Sequence, residues 1–290
     1  MARKLSWFDL IVGALLIVLC FVMIYPFLYA LAYSLSDGVA VMTEHVTLLP
    51  VGFTWDNYHA VFLNNDIFHA SQISVARTLA GTTYSTLIIG MAAYSMSKPQ
   101  LVWRRTLNVL FIIVMYVGGG LIPYYVVIHD LGLMNHFLVY ILPGAFGTFL
   151  MLLMRVYFEG IPESMEESAK LEGANDFTIF WRIYFPLSLP TFATVALFVG
   201  VGQWNSWFDA SLFVSNPKLA PLQLLLQQVL QQATVSNFEQ LMQMANGQRK
   251  ISVETLRMAV LIVTVVPIVF AYPFFQRFFI KSVMLGAVKG

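Results

Sequence analysis

The sequence predicts an all-α integral membrane protein, and its composition and its long apolar stretches carry that prediction. Hydrophobic residues make up 59% of the 290 residues and charged residues only 11%, whereas a soluble domain carries about 25% charge. The mean hydropathy is +0.74. A helix needs about 20 apolar residues to cross a bilayer, and six stretches without a charge approach or exceed that length. They are residues 10–31, 79–96, 106–128, 137–154, 186–208 and 258–276.

A single transmembrane domain covering residues 1–290 accounts for these six predicted spans. The net charge is only +1 and no Lys/Arg-rich run occurs, which argues against nucleic-acid binding. Cys20 is the only cysteine, so neither a disulfide nor a cysteine metal site can form within the chain. The five histidines are scattered along the sequence, so no metal site is predicted.

The first apolar stretch has a cleaved signal peptide as its alternative interpretation. Arg3 and Lys4 precede it, and Ala30, Leu31 and Ala32 resemble a cleavage site. Its apolar core is longer than the about 7–15 residues of a signal peptide. We therefore expect a membrane span.

The basic residues predict the orientation of the spans. With the N-terminus inside, eleven of the sixteen Lys and Arg residues fall on the cytoplasmic side. This bias predicts that both termini are cytoplasmic. The five basic residues on the outer side are Arg77, Lys218, Arg249, Lys250 and Arg257.

Two outer loops follow from this topology, at residues 36–71 and 215–255. The first carries turn signals and predicts a short cap. In the second, an amphipathic helix is predicted, because glutamines occupy the other faces of a helix whose apolar face consists of Leu222, Leu225, Leu226, Val229, Leu230 and Ala233. Such a helix either anchors the fold at the membrane interface or provides a docking surface for a substrate-delivery protein.

The third predicted span contains Gly118 to Gly120 followed by Pro123, which predicts a break in the helix. Broken helices are tolerated in a membrane where neighbouring protein or a water-filled cavity satisfies the freed backbone groups. The break indicates either the wall of a translocation path or a packing kink.

The cytoplasmic loop 157–185 is charged and amphipathic, and it predicts a helix that starts at Glu163. Pro162 suits the first helical position, and Glu166 can pair with Lys170 four residues later. Gly173 is expected to end the helix in a left-handed conformation. Small residues in the middle of this helix would let another surface approach closely, so a docking helix and a solvated connector are both open.

Aromatic and polar residues gather at the outer ends of the third and fifth spans. Sugars offer apolar ring faces and many hydroxyl groups, which suit aromatic rings beside amides and a carboxylate. Trp and Tyr at this depth are also typical of an aromatic belt at the membrane surface. The candidates for substrate contact are Tyr124, Tyr125 and His129 in the third span and Gln203, Trp204, Asn205, Trp207 and Asp209 in the fifth.

The cytoplasmic loop resembles the EAA loop of binding-protein-dependent ABC importer permeases. Glu167, Ala169 and Gly173 fall on the motif positions, and Ser168 replaces the usual second alanine. In that family the loop forms the coupling helix that contacts the ATP-hydrolysing subunit. The ATPase-coupling residues that this resemblance implies are Glu166, Glu167, Ser168, Ala169, Gly173 and Ala174, and Ile183 and Pro186 extend the motif.

The resemblance covers most of the chain and is to the carbohydrate-uptake, maltose-permease-like branch, of the lipoprotein-associated polysaccharide-permease type. Residues 55–58, Trp-Asp-Asn-Tyr, resemble the outer-loop signature of the family, and residues 272–277 and 286–290 resemble its last span and tail. The resemblance implies a bacterial cytoplasmic (inner) membrane location. It also implies a second permease subunit, two nucleotide-binding ATPase subunits that hold ATP and Mg, and an extracytoplasmic solute-binding protein.

The chain itself is predicted not to be an enzyme. It contains no G-x-x-x-x-G-K-[ST] phosphate loop and neither H-E-x-x-H nor G-x-S-x-G. An ion-coupled secondary transporter of a small polar solute is the alternative function, but such proteins place charges within their spans, and the six stretches hold none. We therefore expect an oligosaccharide importer subunit that works by alternating access. The outer cluster of Lys218, Arg249, Lys250 and Arg257 favours an acidic, uronate-containing substrate, and docking of the binding protein is the alternative role of these charges.

Overall fold

The computed structural model describes residues 7–63, 65–232 and 251–287, and within these ranges every regular element is helical. A 3₁₀ turn occurs at Phe137–Tyr140 and another at Pro217–Leu219, and a π-helix at Phe180–Tyr184. The α-helices are α1 Trp7–Ser34, α2 Ala40–Thr43, α3 Asp56–Leu63, α4 Asn65–Ser97, α5 Arg104–Tyr116, α6 Leu121–Asp130, α7 Thr148–Glu159, α8 Glu163–Leu171, α9 Asp176–Ile179, α10 Phe185–Leu187, α11 Leu189–Asn205, α12 Phe208–Phe213, α13 Leu222–Gln232 and α14 Val253–Ala287.

Two of the described helices are long and apolar enough to cross a membrane, namely α1 and the Val253–Pro273 part of α14. Two bent pairs add one candidate span each. The chain bends by 113° between α5 and α6, and by 84° between Asp176–Leu187 and α11. The described residues thus contain two to four candidate spans, and the count of six stays a prediction.

The predicted span at 137–154 is not one continuous helix. The 3₁₀ turn Phe137–Tyr140 is followed by a loop, and α7 begins only at Thr148. Pro143, Gly144 and Gly147 lie in that loop, and proline and glycine are the poorest helix formers. The absence of charge therefore did not predict helix continuity here.

The predicted break in the third span is confirmed. Helix α5 ends at Tyr116, and Gly120 precedes α6 with a φ of 82°. A left-handed φ of this kind suits glycine because glycine has no Cβ.

The described residues cluster into two compact units. Unit 1 comprises Met1–Phe68 and Leu225–Pro267, and unit 2 comprises His69–Leu224 and Ile268–Gly290. In unit 1 the buried Asn57 donates hydrogen bonds to the carbonyls of Ser34 and Ser36, both at 2.9 Å, and accepts one from Thr255 Oγ1 at 2.8 Å. The Trp-Asp-Asn-Tyr signature thus joins the end of α1 to α14.

The amphipathic helix predicted in the second outer loop corresponds to α13. Leu222 is buried, as expected, but so is Leu224, which was not on the predicted apolar face, while Leu230 is exposed. Leu225, Leu226 and Val229 of the predicted face are half-buried. Ala233 and the basic residues Arg249 and Lys250 lie outside the described residues.

Unit 2 contains two apolar clusters that support the two candidate sites. The first packs α4, α7, the π-helix and α11 around Met151, Phe158, Phe180 and Phe192. The second packs α6, the 3₁₀ turn and α12 around Phe213. Helix α8 rests on the first cluster through Ala169.

Candidate coupling helix and cavity

Helix α8 is held to the protein by one buried carboxylate, that of Glu166. Its Oε2 accepts hydrogen bonds from Lys98 and, at 2.8 Å, from the hydroxyl of Tyr184. Its Oε1 lies 2.8 Å from Lys170 Nζ, so the predicted pair four residues apart is confirmed. Lys98 follows the end of α4 and Tyr184 ends the π-helix, so Glu166 ties three segments together.

These contacts keep Glu166 ionised. Burial opposes its ionisation, but hydrogen bonds from Lys170, Lys98 and Tyr184 outweigh burial and lower the pKa of Glu166 to about 2. The hydrogen bond between Lys170 and Glu166 also raises the pKa of Lys170. Burial lowers the pKa of Lys98, but its Nζ lies 4.1 and 4.0 Å from the ring centres of Tyr94 and Tyr184, contacts that favour the charged form.

The C-terminus of α8 depends on Gly173, which has a φ of 82°, as predicted. Its N–H donates to the carbonyl of Lys170 at 3.0 Å, and the N–H of Ala174 donates to the carbonyl of Ala169 at 3.0 Å. This pair of bonds is the Schellman arrangement. At the other end, the helix begins at Glu163 as predicted, and Pro162 occupies the N-cap position instead of the first helical position.

The predicted coupling residues divide between two faces of the loop. Glu167 and Ser168 are exposed. Ala169 and Ala174 are half-buried against the first apolar cluster, so their small size suits packing beneath α8 as well. Leu171 belongs to none of the predicted sets and is 90% exposed at the end of the helix.

A cavity of about 360 Å³ lies within unit 2, inside the range of about 300–1,000 Å³ that is usual for small-molecule sites. Polar groups and glycines share its wall, so part of the lining is backbone. The lining residues are Arg77, Ile89, Tyr124, Val139, Tyr140, Gly144, Gly147, Leu150, Val199, Gly202, Gln203, Ser206 and Asp209.

Arg77 is buried at the wall of this cavity, and protein groups accept from all of its N–H groups. Nη1 and Nη2 donate to the two carboxylate oxygens of Asp209, at 3.3 and 2.6 Å. Nε and Nη2 donate to Gln203 Oε1 at 3.3 and 3.2 Å. Nη1 also donates to the carbonyl of Ser206 at 3.1 Å, and the guanidinium lies 4.3 Å from the centre of the Tyr140 ring.

The predicted substrate residues are therefore only partly brought together. Gln203, Asp209 and Tyr124 line the cavity. The side chains of Gln203 and Asp209 are, however, already hydrogen-bonded to Arg77. Gln203 Nε2 also donates to the carbonyl of Tyr140 at 3.0 Å. Sequence reasoning counted Arg77 only as an outer basic residue, because a partner 132 positions away leaves no local pattern.

The other predicted contacts do not line this cavity. Tyr125 stacks on Phe213 with ring centres 5.8 Å apart, and Asn205 accepts a hydrogen bond from Gln223 at 3.2 Å. The remaining three are Trp204, which is buried, Trp207, which packs against the second apolar cluster, and His129, which is exposed beside Asp130.

Comparison with known proteins identifies the class to which this helical membrane fold belongs. Residues 73–284 match the family model described as binding-protein-dependent transport system inner membrane component. The chain is 34% identical over 285 residues to the polygalacturonan/rhamnogalacturonan transport system permease protein YtcP of Bacillus subtilis (strain 168), covering 98% of both chains. It is 25% identical over 291 residues to the arabinooligosaccharides transport system permease protein AraQ of Halalkalibacterium halodurans, covering 99% of this chain and 97% of that one.

A solved structure gives the same result. The fold matches a chain of the crystal structure of a bacterial ABC transporter involved in the import of the acidic polysaccharide alginate, with a TM-score of 0.87 and 30% identity. The match covers 96% of this chain and 100% of that chain. The protein belongs to the family of binding-protein-dependent ABC transporter permeases. It is an inner-membrane, multi-pass, non-catalytic subunit, and this membership decides against the ion-coupled transporter.

Proposed function

We propose that this permease carries an acidic oligosaccharide across the membrane and that α8 is the element through which separate ATPase subunits drive it. The proposal includes one further permease subunit, two ATPase subunits that bind ATP and Mg, and a binding protein that delivers the sugar from outside. It also includes six spans with both termini in the cytoplasm. The role of α8 in coupling is supported by one observation: one part of the helix is anchored to the protein, and another part is exposed.

One side of α8 is a fixed anchor. The ion pair of Glu166 with Lys98 is shielded from solvent, since the two side chains are only 9% and 15% exposed, whereas Lys170 is 48% exposed. Removing one partner of a shielded pair leaves an uncompensated charge, which is costly. A force applied to α8 would therefore reach α4 without first detaching the helix.

The other side of α8 is available to a partner. Leu171 of α8 is 90% exposed, and Met165 of α8 and Phe177 of the following helix, α9, are also exposed. Large apolar side chains on an otherwise charged surface are typical of protein interaction sites. Glu167 and Ser168 are also exposed and lie four and three positions before Leu171, a spacing that places residues on one helix face. These motif residues and Leu171 would therefore contact the same partner.

The coupling proposal is tested by Leu171→Asp, with Leu131→Asp as the matched control. Leu131 is 65% exposed and follows α6, on the predicted outer side of the membrane. We expect the Leu171 variant to insert normally and to lose substrate-stimulated ATP hydrolysis in the reconstituted complex, because a charge would be buried at the interface. Glu167→Lys and Ala169→Trp should act in the same way. Normal hydrolysis by all three, in correctly inserted complexes, would leave α8 as a solvated connector.

The acidic substrate is supported by relatives whose names include polygalacturonan and alginate. The outer basic residues support it less than the sequence suggested. Arg257 pairs with Glu254 at 3.0 Å and its side chain is 19% exposed, whereas Lys218 is exposed. Uptake of trigalacturonate should be compared with uptake of its methyl ester, which is neutral and similar in shape. If only the ester enters, the acidic proposal is wrong.

A further inference from the structure

The contact between Arg77 and Asp209 is a carboxylate site that the protein fills with its own side chain. The two oxygens of Asp209 accept from Nη1 and Nη2 in the forked geometry that guanidinium groups form with carboxylates. Both residues line the cavity. The side chain of Arg77 is 2% exposed and that of Asp209 is 23% exposed, so Asp209 is the more accessible member of the pair.

The rest of the Arg77 environment does not depend on Asp209. Gln203 Oε1 and the Ser206 carbonyl accept three of the guanidinium contacts, and the Tyr140 ring covers one face. These groups would keep the guanidinium in place and largely out of water if Asp209 moved away. An incoming carboxylate would then meet a cation that is already desolvated and oriented, which lowers the cost of binding.

Asp209 also has partners of its own besides Arg77. Its Oδ1 accepts from Ser206 Oγ at 2.9 Å and from the N–H of Ala210 at 2.8 Å. Both donors belong to the same corner between α11 and α12, so they can move with the carboxylate. Its charge would remain hydrogen-bonded after it left the guanidinium, which removes part of the penalty for an unpaired charge.

We propose that Arg77 binds a carboxylate group of the transported sugar and that Asp209 is an internal carboxylate that holds this site until the substrate displaces it. The exchange replaces one carboxylate by another and conserves the charge-assisted hydrogen bonds. A sugar hydroxyl is a weaker acceptor than a carboxylate, so a neutral sugar cannot displace Asp209 on equal terms. The Arg77 site would therefore favour acidic substrates, because only a carboxylate gains the full contact with the guanidinium. This inference rests on the acidic substrate proposed above.

The test uses the complete transporter, with its partner subunits and binding protein, in proteoliposomes. The measured quantity is the ratio of trigalacturonate uptake to uptake of its methyl ester. Because every variant uses the same binding protein, a change in this ratio between variants reports the permease. Arg77→Gln should lower the ratio about tenfold, since hydrogen bonds to charged groups are worth at least that factor. Asp209→Asn should raise the ratio, because an amide competes less well for the guanidinium.

Two further variants separate substrate selection from folding. Arg77→Gln with Asp209→Asn removes both charges together, so no unpaired charge is left in the wall, and we expect a folded transporter with a lowered ratio. Arg105→Gln removes an exposed positive charge elsewhere and should leave the ratio unchanged. A merely structural pair would lower both uptake rates together and would not change their ratio.

The outcomes are distinguishable. If the unaltered transporter takes up trigalacturonate, but Asp209→Asn and the double variant both keep its ratio, the exchange at Arg77 is refuted and the acidic substrate stands. If the unaltered transporter takes up only the ester, the proposed substrate fails, and the exchange fails with it. A lowered ratio in Asp209→Asn would also refute the exchange, because Asp209 would then assist acidic sugars.

Discussion

Replacing Gly173 should weaken the coupling between the permease and its ATPase subunits, and the size of the loss should depend on the left-handed backbone conformation of Gly173. The residue has a φ of 82°, and a Cβ added to it would meet nothing within 4 Å. A substitution therefore introduces no clash with a neighbouring residue. The cost to an alanine is the strain of the left-handed conformation alone, about 1–2 kcal/mol.

That cost converts directly into a weaker interaction with the ATPase subunits. If the end of α8 relaxes from the left-handed conformation in the free permease and has to regain it in order to dock, the strain is subtracted from the free energy of docking. A loss of about 1–2 kcal/mol lowers the affinity about 5- to 30-fold. Asparagine tolerates the left-handed region better than alanine, and a β-branched residue tolerates it worst. We expect the losses to increase from Gly173→Asn through Gly173→Ala to Gly173→Val.

The chain offers a closely matched control in Gly132, which ends α6. Its φ is 67°, and a Cβ added there would also meet nothing within 4 Å. The N–H groups of Gly132 and Leu133 donate to the carbonyls of His129 and Ile128 at 2.9 and 3.1 Å, so the capping arrangement is the same. Gly132→Ala should carry a similar strain and still show substrate-stimulated ATP hydrolysis.

The assay is the affinity of the purified ATPase subunits for the permease in detergent, together with ATP hydrolysis stimulated by loaded binding protein. Two results would refute the reasoning. Equal losses in Gly173→Asn and Gly173→Ala would show that backbone strain is not the cause. Equal losses in Gly173→Ala and Gly132→Ala would show a general defect instead of a defect in coupling.

Three further predictions concern the anchor, the topology and the signature of unit 1. Glu166→Gln should cost about 1–3 kcal/mol and speed proteolysis of the loop around α8. The pKa of Glu166 is about 2, below its usual 4.5. The stability that ionised Glu166 contributes is therefore complete above about pH 4.5 and is lost as the pH falls toward 2. The rate of proteolysis should consequently not change between pH 8 and pH 5. An impermeant thiol reagent should label a cysteine at the exposed Trp55 in intact cells and not one at Lys170. It should also spare a cysteine at Asn57, which is buried although it belongs to the predicted outer loop. Asn57→Ala should lower the free energy of unfolding by about 2–4 kcal/mol, because three buried hydrogen bonds are lost. An unchanged melting temperature would contradict the role of Asn57 in joining α1 to α14.

Local features of the cytoplasmic loop could be predicted from the sequence. The start of α8, the Glu166 to Lys170 pair and the left-handed Gly173 all depend on residues within four positions of each other. Short-range patterns of this kind follow from helix geometry alone. The break after Tyr116 was predictable for the same reason, because three successive glycines disfavour a helix in any context.

Contacts between distant segments could not be predicted in this way. Lys98 and Glu166 are 68 positions apart, and Arg77 and Asp209 are 132 apart. From the sequence, Lys98 and Arg77 were used only to predict the orientation of the spans. Glu166 was predicted to serve in coupling, and Asp209 was predicted to contact the sugar. Only the packing of α4 against the later helices shows that these residues neutralise each other.

Helix α4 is the element that connects the two sites. Arg77 lies within it at the cavity, and Lys98 follows its last residue, Ser97, at the anchor of α8. At 1.5 Å per residue, the 20 residues from Arg77 to Ser97 span about 30 Å. No proline interrupts the helix, so none of the usual proline kinks can absorb a displacement along it.

The two glycines within this part of α4 also favour rigid motion. A Cβ at Gly81 would lie 2.8 Å from the Gln203 side chain, and one at Gly90 would lie 2.5 Å from the Phe192 ring. These glycines therefore serve the close approach of α11, and they are not free bending points. Since α11 carries Gln203, which binds Arg77, the two helices are joined both by packing and by hydrogen bonds. A displacement of α8 that pulls on Lys98 should thus move the Arg77 wall of the cavity together with α11.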